Sequence, residues 1–340
     1  MSIFGKRLGI DLGTANVLVY VPNKGVIINE PSVVAISEGN KKILAVGDDA
    51  KTMIGKTPDD IVAYRAIKDG VIADYRVAEA MLSYFLKKAL GSFSIFKPEV
   101  MISVPAGINS TQRRAVIEAA MNSGARKVYI VKEPILGAIG AGIKIEEPTG
   151  NMIVDIGGGT TDTAVISLGG IVNANSVKSA GDAIDKAIIN YIKRTYNLAI
   201  GEKTAERIKI EVGAAVPFTA KEELKIEVSG RDYTTELPKT ITVGTNDVVK
   251  AISKNLGEII KSIKDVLAQT PPELAADVID SGIILTGGTS QLRRLPTLIE
   301  KETGVKAELS ENPLTSVAKG TGIALNHLDV YKKVLVSKKF

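Results

Sequence analysis

The sequence predicts an α/β protein of two lobes related by duplication, and three observations carry that prediction. The segment Gly9-Ile-Asp-Leu-Gly-Thr-Ala-Asn-Val-Leu-Val-Tyr-Val21 has an apolar strand ending in Asp, a turn with Gly and Thr, and a second β-branched strand. The same device recurs at Val154-Asp-Ile-Gly-Gly-Gly-Thr-Thr-Asp-Thr-Ala-Val-Ile166, once per half of the chain. Strands and amphipathic helices alternate between and after the two, and no Pro- or Ser-rich stretch is long enough to be a flexible tether.

In chain order, each repeated device reads as a β-hairpin whose turn lets backbone approach something closely. Lys97-Pro-Glu-Val-Met-Ile-Ser-Val104 has the apolar run of a buried strand. A helix over about Ser110 to Asn122 follows, with Asn109 and Gln112 spaced as a capping box. Val128-Tyr-Ile-Val131 is a short strand, and Ile135 to Ile143 a helix whose Gly and Ala residues suit close packing. Ala205-Glu-Arg-Ile-Lys-Ile-Glu211 reads as helix. From Asp247 to Gln269, Val248, Ile252, Leu256, Ile259, Ile260, Ile263, Val266 and Leu267 share one face, and Thr270-Pro-Pro272 closes the helix. Ile283-Ile-Leu-Thr-Gly-Gly288 is a strand running into a third Gly turn.

Composition narrows the chemistry. The 340 residues suit roughly two domains at about 150 residues each, and 45% hydrophobic with 24% charged residues is a globular balance. With no Cys and a single His, His327, there is no disulfide framework, thiol chemistry, Cys-based zinc site or His cluster, and no basis for a His-centred triad. Catalysis must use carboxylates, hydroxyls, backbone amides or a metal. The net charge of +5 is mild and aromatics are 4%, so no basic and aromatic platform for nucleic acid is expected. The start, Met1-Ser-Ile-Phe-Gly-Lys-Arg7, turns charged before an apolar leader can form, and no run reaches the roughly 18 apolar residues of a spanning helix. A cytosolic, non-spanning protein is expected.

The Gly turns point to phosphate. A nucleoside triphosphate needs close backbone N–H donors, which Gly permits, and hydroxyls such as Thr14, Thr160 and Thr161. It also needs a cation: Asp11 and Asp155, each at a strand end beside its Gly turn, suit a magnesium ion held through its retained waters. Neither hairpin is a P-loop. One such hairpin alone could be merely a tight turn; two with the same Asp-x-Gly core, with Gly287-Gly288-Thr289 after a strand, favour phosphate and nucleoside binding.

Asp11-Leu-Gly-Thr14, Asp155-Ile-Gly-Gly-Gly-Thr-Thr161, Glu133-Pro134 and Leu285-Thr-Gly-Gly288 resemble the phosphate-1, phosphate-2, connecting and adenosine motifs of the actin, sugar-kinase and heat-shock chaperone superfamily. Gly9-Ile-Asp-Leu-Gly-Thr-Ala-Asn16, Asn29-Glu-Pro-Ser32, Met53-Ile-Gly-Lys-Thr-Pro58, Asp69-Gly-Val-Ile-Ala-Asp74 and Gly201-Glu-Lys-Thr-Ala-Glu-Arg207 resemble, in order and over nearly the whole chain, the MreB family of bacterial actins. The resemblance implies an actin-like two-lobed ATPase of duplicated RNase H-like domains with smaller inserted subdomains. Residues 1–145 plus 312–340 would form domain I, with a small subdomain at about 33–70; residues 146–311 would form domain II, with one at about 182–245.

The resemblance also implies ATP or ADP with Mg2+ in the cleft. Asp11, Gly13, Thr14, Ala15 and Asn16 would line the first phosphate hairpin, and Asp155, Gly157, Gly158, Gly159, Thr160 and Thr161 the second. Glu206 and Lys209 would contact the nucleoside, with Gly287, Gly288 and Thr289 beneath base and sugar; without the resemblance, Glu206 and Lys209 read as a solvated i,i+3 salt pair. Hydrolysis is positioning and charge neutralisation, so Glu133 is the candidate for orienting the attacking water, with Thr160 sharing it. Pro134 leaves open that Glu133 only caps a helix. Relatives commonly carry two acids before this Pro; here the first is Lys132.

Two surface features remain. Phe93-Ser-Ile-Phe96 is an apolar loop that either folds back on the core or, by the resemblance, inserts Phe93, Ile95 and Phe96 into a membrane. Lys332, Lys333, Lys338 and Lys339 alternate with apolar residues in the tail, which reads either as a frayed end or as an anionic-membrane contact at about 1 kcal/mol per Lys. Ser2 to Arg7 is too short for an amphipathic anchor helix. The family further implies self-assembly into paired antiparallel protofilaments joined at the helix Ser110 to Asn122, location at the inner face of the cell membrane, support of cell shape, membrane-spanning shape proteins as partners, and no nucleic acid. A nucleotide-binding scaffold that does not hydrolyse, and a small-molecule kinase of the superfamily, are the alternatives.

Overall fold

Two sheets of matching topology frame the chain, in a computed structural model that describes residues 6–39, 42–58, 60–91, 97–331 and 336–339. The first sheet has the strand order Val336–Lys339, Lys127–Lys132, Glu99–Val104, Arg7–Leu12, Asn16–Val21, Gly25–Pro31. The second has the order Gly170–Val177, Thr161–Ser167, Asn151–Ile156, Ile283–Thr286, Ala307–Leu309. In each, three consecutive antiparallel strands form a meander, whose first strand then pairs in parallel with a strand arriving from much later in the chain. The duplication read from the hairpins is therefore a duplication of whole sheets.

The local readings hold with small shifts at the ends. The helix Ser110–Asn122 starts on its capping box: Gln112 N–H donates to Asn109 Oδ1 at 2.8 Å, and Asn109 N–H donates to Gln112 Oε1 at 3.1 Å. The long amphipathic helix spans Thr245–Ala268, with Asp247 accepting from the Gly244 N–H at 3.1 Å. Val248, Ile252, Leu256, Ile259, Ile260, Ile263 and Val266 are buried, whereas Leu267 is only partly covered. Each such side chain contributes about 1.5–3 kcal/mol of burial.

Two smaller three-stranded sheets flank the large ones. One has the order Ile43–Val46, Val33–Ser37, Ile61–Arg65, and the other Leu198–Ala199, Lys225–Asp232, Pro238–Gly244. Residues Val336–Lys339 pair antiparallel with Lys127–Ile130. This part of the tail is neither a frayed end nor a free segment, because the strand Lys127–Lys132 would otherwise leave an open row of N–H and C=O groups at a sheet edge. Lys332 and Lys333 lie outside the described residues, as do Phe93, Ile95 and Phe96.

The lobes meet through two helices, Glu133–Gly140 and Ser316–Asn326, which pack on one another. The first helix begins and ends earlier than the expected Ile135 to Ile143, since the chain turns helical directly at the end of its strand. Their contact is backbone on backbone: a methyl group at Gly320 would lie 1.9 Å from the Leu136 carbonyl oxygen, and one at Gly140 would lie 1.8 Å from that of Ser316. We expect Gly320→Ala to cost about 1–3 kcal/mol in urea unfolding through forced separation of the helices. Gly257→Ala, in the exposed middle of the Thr245–Ala268 helix where nothing lies within 4 Å, should stabilise by up to about 1 kcal/mol. Equal effects of opposite expectation would show that the crossing is not close-packed.

Candidate functional site

The two hairpin turns meet at the wall of a cavity of about 600 Å³ that both of them line. A methyl group at Gly159 would stand 2.3 Å from Thr14 Oγ1, and one at Gly158 would stand 2.7 Å from Ala15 Cβ. Only glycine lets the second turn come this close to the first. The first turn is anchored from behind by Ser32, whose hydroxyl donates to the Gly13 carbonyl at 2.5 Å and whose N–H donates to the Ala15 carbonyl at 3.0 Å. Asn16 donates through Nδ2 to Asn29 Oδ1 at 2.7 Å, so the Asn29-Glu-Pro-Ser32 string braces the turn. The Thr14 hydroxyl accepts the Gly70 N–H at 2.8 Å.

The duplication extends to side chains. The Ser103 hydroxyl donates to Asp11 Oδ1 at 2.7 Å, and the Thr286 hydroxyl donates to Asp155 Oδ1 at 3.0 Å. Ser103 and Thr286 occupy corresponding parallel strands of the two sheets, next to the Asp-bearing strand in each. Glu133 is the first residue of its helix and 8% exposed, with Lys132 in the capping position making no side-chain cap bond. The two readings of Glu133 merge: it opens a helix and also lines the cavity.

The cavity brings together Asp11, Gly13, Thr14, Ala15, Asn16, Glu133, Asp155, Gly157, Gly158, Gly159, Thr160, Glu206, Lys209, Gly287, Gly288 and Thr289. Thr161 is not among them. Being the first residue of the strand after Thr160, it points to the opposite face, fully buried, with its hydroxyl donating to the Ser179 carbonyl at 2.7 Å. The Thr289 hydroxyl donates to the Gly157 carbonyl at 2.7 Å and so ties the third Gly turn to the second. Glu206 and Lys209 do not pair along their helix Glu202–Val212. Lys209 Nζ bonds Asp185 Oδ2 at 2.9 Å and Glu206 bonds Lys51 at 3.4 Å.

Several site residues carry no local signal in the sequence. Asp182 and Asp185 line the cavity from the helix Gly181–Tyr196, whose first N–H groups dock on the second turn: Gly181 donates to Gly157 at 3.1 Å and Asp182 to Gly158 at 2.7 Å. Asp162 lies directly opposite Asp155 in the hairpin and accepts the Ala106 N–H of the other lobe at 2.7 Å. Arg65 joins the lobes by reaching Asp182 at 3.5 Å and the Thr14 carbonyl at 3.2 Å. The second Asp of Thr161-Asp162 was the one available clue; the others are long-range encounters.

The family model described as MreB/Mbl protein matches residues 5–333. The chain belongs to the MreB/Mbl family. It is 50% identical over 327 residues to the cell shape-determining protein Mbl of Bacillus cereus, covering 96% of this chain and 98% of that one. It is 47% identical over 343 residues to the cell shape-determining protein MreB of Escherichia coli, covering 99% and 98%. The crystal structure of MreB 5 of Spiroplasma citri bound to AMPPNP superimposes with a TM-score of 0.91 at 35% identity, covering 98% of this chain and 99% of that one. The expected actin-like α/β fold is the fold observed.

In this MreB/Mbl chain the cavity is strongly acidic around Asp11, Asp155 and Glu133. Burial pushes Asp11 up to about 6, opposed by the Ser103 hydroxyl. Burial, then the charges of Asp11 and Asp162, push Asp155 up to about 7. Glu133 is held well above the usual carboxylate range by burial first, then by Asp162, Asp155 and Asp11. Among the described residues no ion pair neutralises Asp11, Asp155 or Glu133. An acid whose pKa is higher when folded binds protons more tightly in the folded state, so stability is lost as pH rises from the ordinary carboxylate value through about 6 to 7. The melting temperature of the nucleotide-free protein should therefore fall between pH 5 and pH 8 at constant ionic strength, and magnesium with ATP should recover part of the loss. A flat or rising profile contradicts this electrostatic account.

Proposed function

We propose that this chain binds and hydrolyses ATP with magnesium and polymerises into membrane-associated filaments that support cell shape. The observation that supports the reading best is the pair of glycine turns closed on one another over Asp11, Asp155 and Glu133. MreB 5 of Spiroplasma citri, alike over nearly its full length, binds AMPPNP, and the relatives named above are cell shape-determining proteins.

In this reading the backbone N–H groups of residues 13–16 and 157–160 receive the phosphates, which glycine allows at close range. Asp11 and Asp155 would hold magnesium through waters. Asp155 is buried and Asp11 half-buried, neither carboxylate has a cationic partner among the described residues, and no three acidic or His side chains there converge to bind a metal directly, so a hydrated ion fits the donor set. The ion would supply charge neutralisation for the phosphates. Glu133 orients a water in line with the γ-phosphate and Thr160 shares it, Glu133 as the first residue of its helix and Thr160 in the turn just before the strand Thr161–Ser167. The division into lobes at 1–145 with 312–340 and at 146–311 follows the partition of strands between the two large sheets.

Filaments would be paired protofilaments of this chain meeting at the helix Ser110–Asn122. Phe93, Ile95, Phe96 and the tail lysines, Lys332, Lys333, Lys338 and Lys339, would face the anionic inner leaflet, and membrane-spanning shape proteins would be partners. Among the described residues no helix is long and apolar enough to cross a membrane. Such weak contacts add up along a filament.

Sedimentation with magnesium and ATP should bring the protein into the pellet, and a chain that stays soluble across nucleotides and salts ends the filament reading. Phosphate release by Glu133→Ala should drop by about a hundredfold; release at the wild-type rate would leave Glu133 without its role. Replacing Ile95 and Phe96 together by Ser should lower co-sedimentation with anionic liposomes, and unchanged binding would transfer the contact to the tail.

A further inference from the structure

The cavity lining is mixed. Beside the two hairpin turns it includes the apolar side chains Ile210, Leu292 and Leu314, the last standing against Gly288 of the third turn. A nucleoside triphosphate has matching parts: phosphates, a flat base, and a sugar diol that joins them. With phosphates on the hairpin turns and the base against the apolar side chains, the diol falls between. The helix Gly181–Tyr196 begins against the second turn, and one helical turn further on it presents Asp185; Lys209, which bonds Asp185, directly precedes Ile210. Asp185, Glu206 and Lys209 thus line the same cavity, on elements that link the second turn to Ile210.

We propose that Asp185 determines specificity for the sugar by accepting a hydrogen bond from a ribose hydroxyl. The proposal rests on the nucleotide reading above and deepens it. Asp185 is 8% exposed. Its Oδ2 is taken by Lys209, while its buried Oδ1 has no hydrogen-bond partner. The other two acids on this wall are engaged across the cleft, Asp182 with Arg65 and Glu206 with Lys51, so Asp185 offers the free buried acceptor. Burial raises its pKa to about 6 against the pull of Lys209, so the group is an acceptor at neutral pH. A ribose hydroxyl supplies the missing donor, and a deoxy sugar leaves the oxygen unpaired. Sites that hydrogen-bond a substrate hydroxyl reject the analogue lacking it for this reason.

The test is equilibrium binding of ATP, 2′-deoxy-ATP and 3′-deoxy-ATP, each with magnesium, to the full chain and to Asp185→Ala. Wild type should bind at least one deoxy analogue about tenfold more weakly than ATP. In Asp185→Ala the ATP affinity should fall and the ratio of ATP to deoxy affinities should shrink toward one. A role limited to propping Lys209 would weaken all three ligands alike and leave the ratio unchanged, which overturns the proposal. Equal binding of all three by wild type overturns it without any variant, should Asp185→Ala fail to fold. Binding of no nucleotide by wild type removes the nucleotide reading itself, and this assignment with it.

Discussion

The closure of one hairpin turn on the other is the constraint on which the rest of the structure depends. Gly158 against Ala15 and Gly159 against Thr14 leave no room for a side chain on the second turn. That closeness concentrates backbone N–H groups from both lobes on one small volume. It also forces the carboxylates at the adjoining strand ends into the same volume, since Asp11 and Asp155 sit one or two residues before their turns. Attraction for an anion and a need for a cation thus arise from the same contact, and a magnesium–phosphate group answers both.

The chain tolerates local conflict to achieve this. Asp155 and Asp162 stand directly opposite on neighbouring strands, where like charges destabilise a sheet. Asp162 is fully buried, with one carboxylate oxygen bonded to the Ala106 N–H and the other unpartnered. Conflicts of this kind concentrate at functional sites, because a sequence selected for stability alone would remove them. The hydroxyls of Ser103 and Thr286 fit that view: each holds an Asp whose burial would otherwise be harder to sustain.

Three ion pairs also cross the cleft. Lys51 with Glu206, Arg65 with Asp182 and Lys178 with Asp69 join the lobes at 3.4, 3.5 and 3.1 Å. Their lysine and arginine side chains are about a third or more exposed, apart from Arg65 at 29%, so each pair is weak. Near the Glu133–Gly140 and Ser316–Asn326 crossing, by contrast, glycine packing locks the helices together. The lobes are firmly joined at the crossing and lightly joined over the cavity.

Much of this was legible in the sequence. Periodicity and turn chemistry are local, and they located the two hairpins, the capped Ser110–Asn122 helix, the long helix and the third glycine turn. The motif glycines and Asp11, Asp155 and Glu133 were legible for the same reason, since a phosphate turn needs its residues close together in the chain. The sequence could not decide what Thr161, Glu206 and Lys209 do. Strand alternation turned Thr161 to the far face, and the helices Gly181–Tyr196 and Asp48–Met53 supplied Asp185 and Lys51 as partners in place of the i,i+3 pair. Asp185, Asp182, Arg65 and the edge pairing of Val336–Lys339 have no spacing to betray them, because each depends on segments far apart in the chain. Short-range steric and hydrogen-bonding rules are written into neighbouring residues; the partners of a buried charge are set only when distant elements pack.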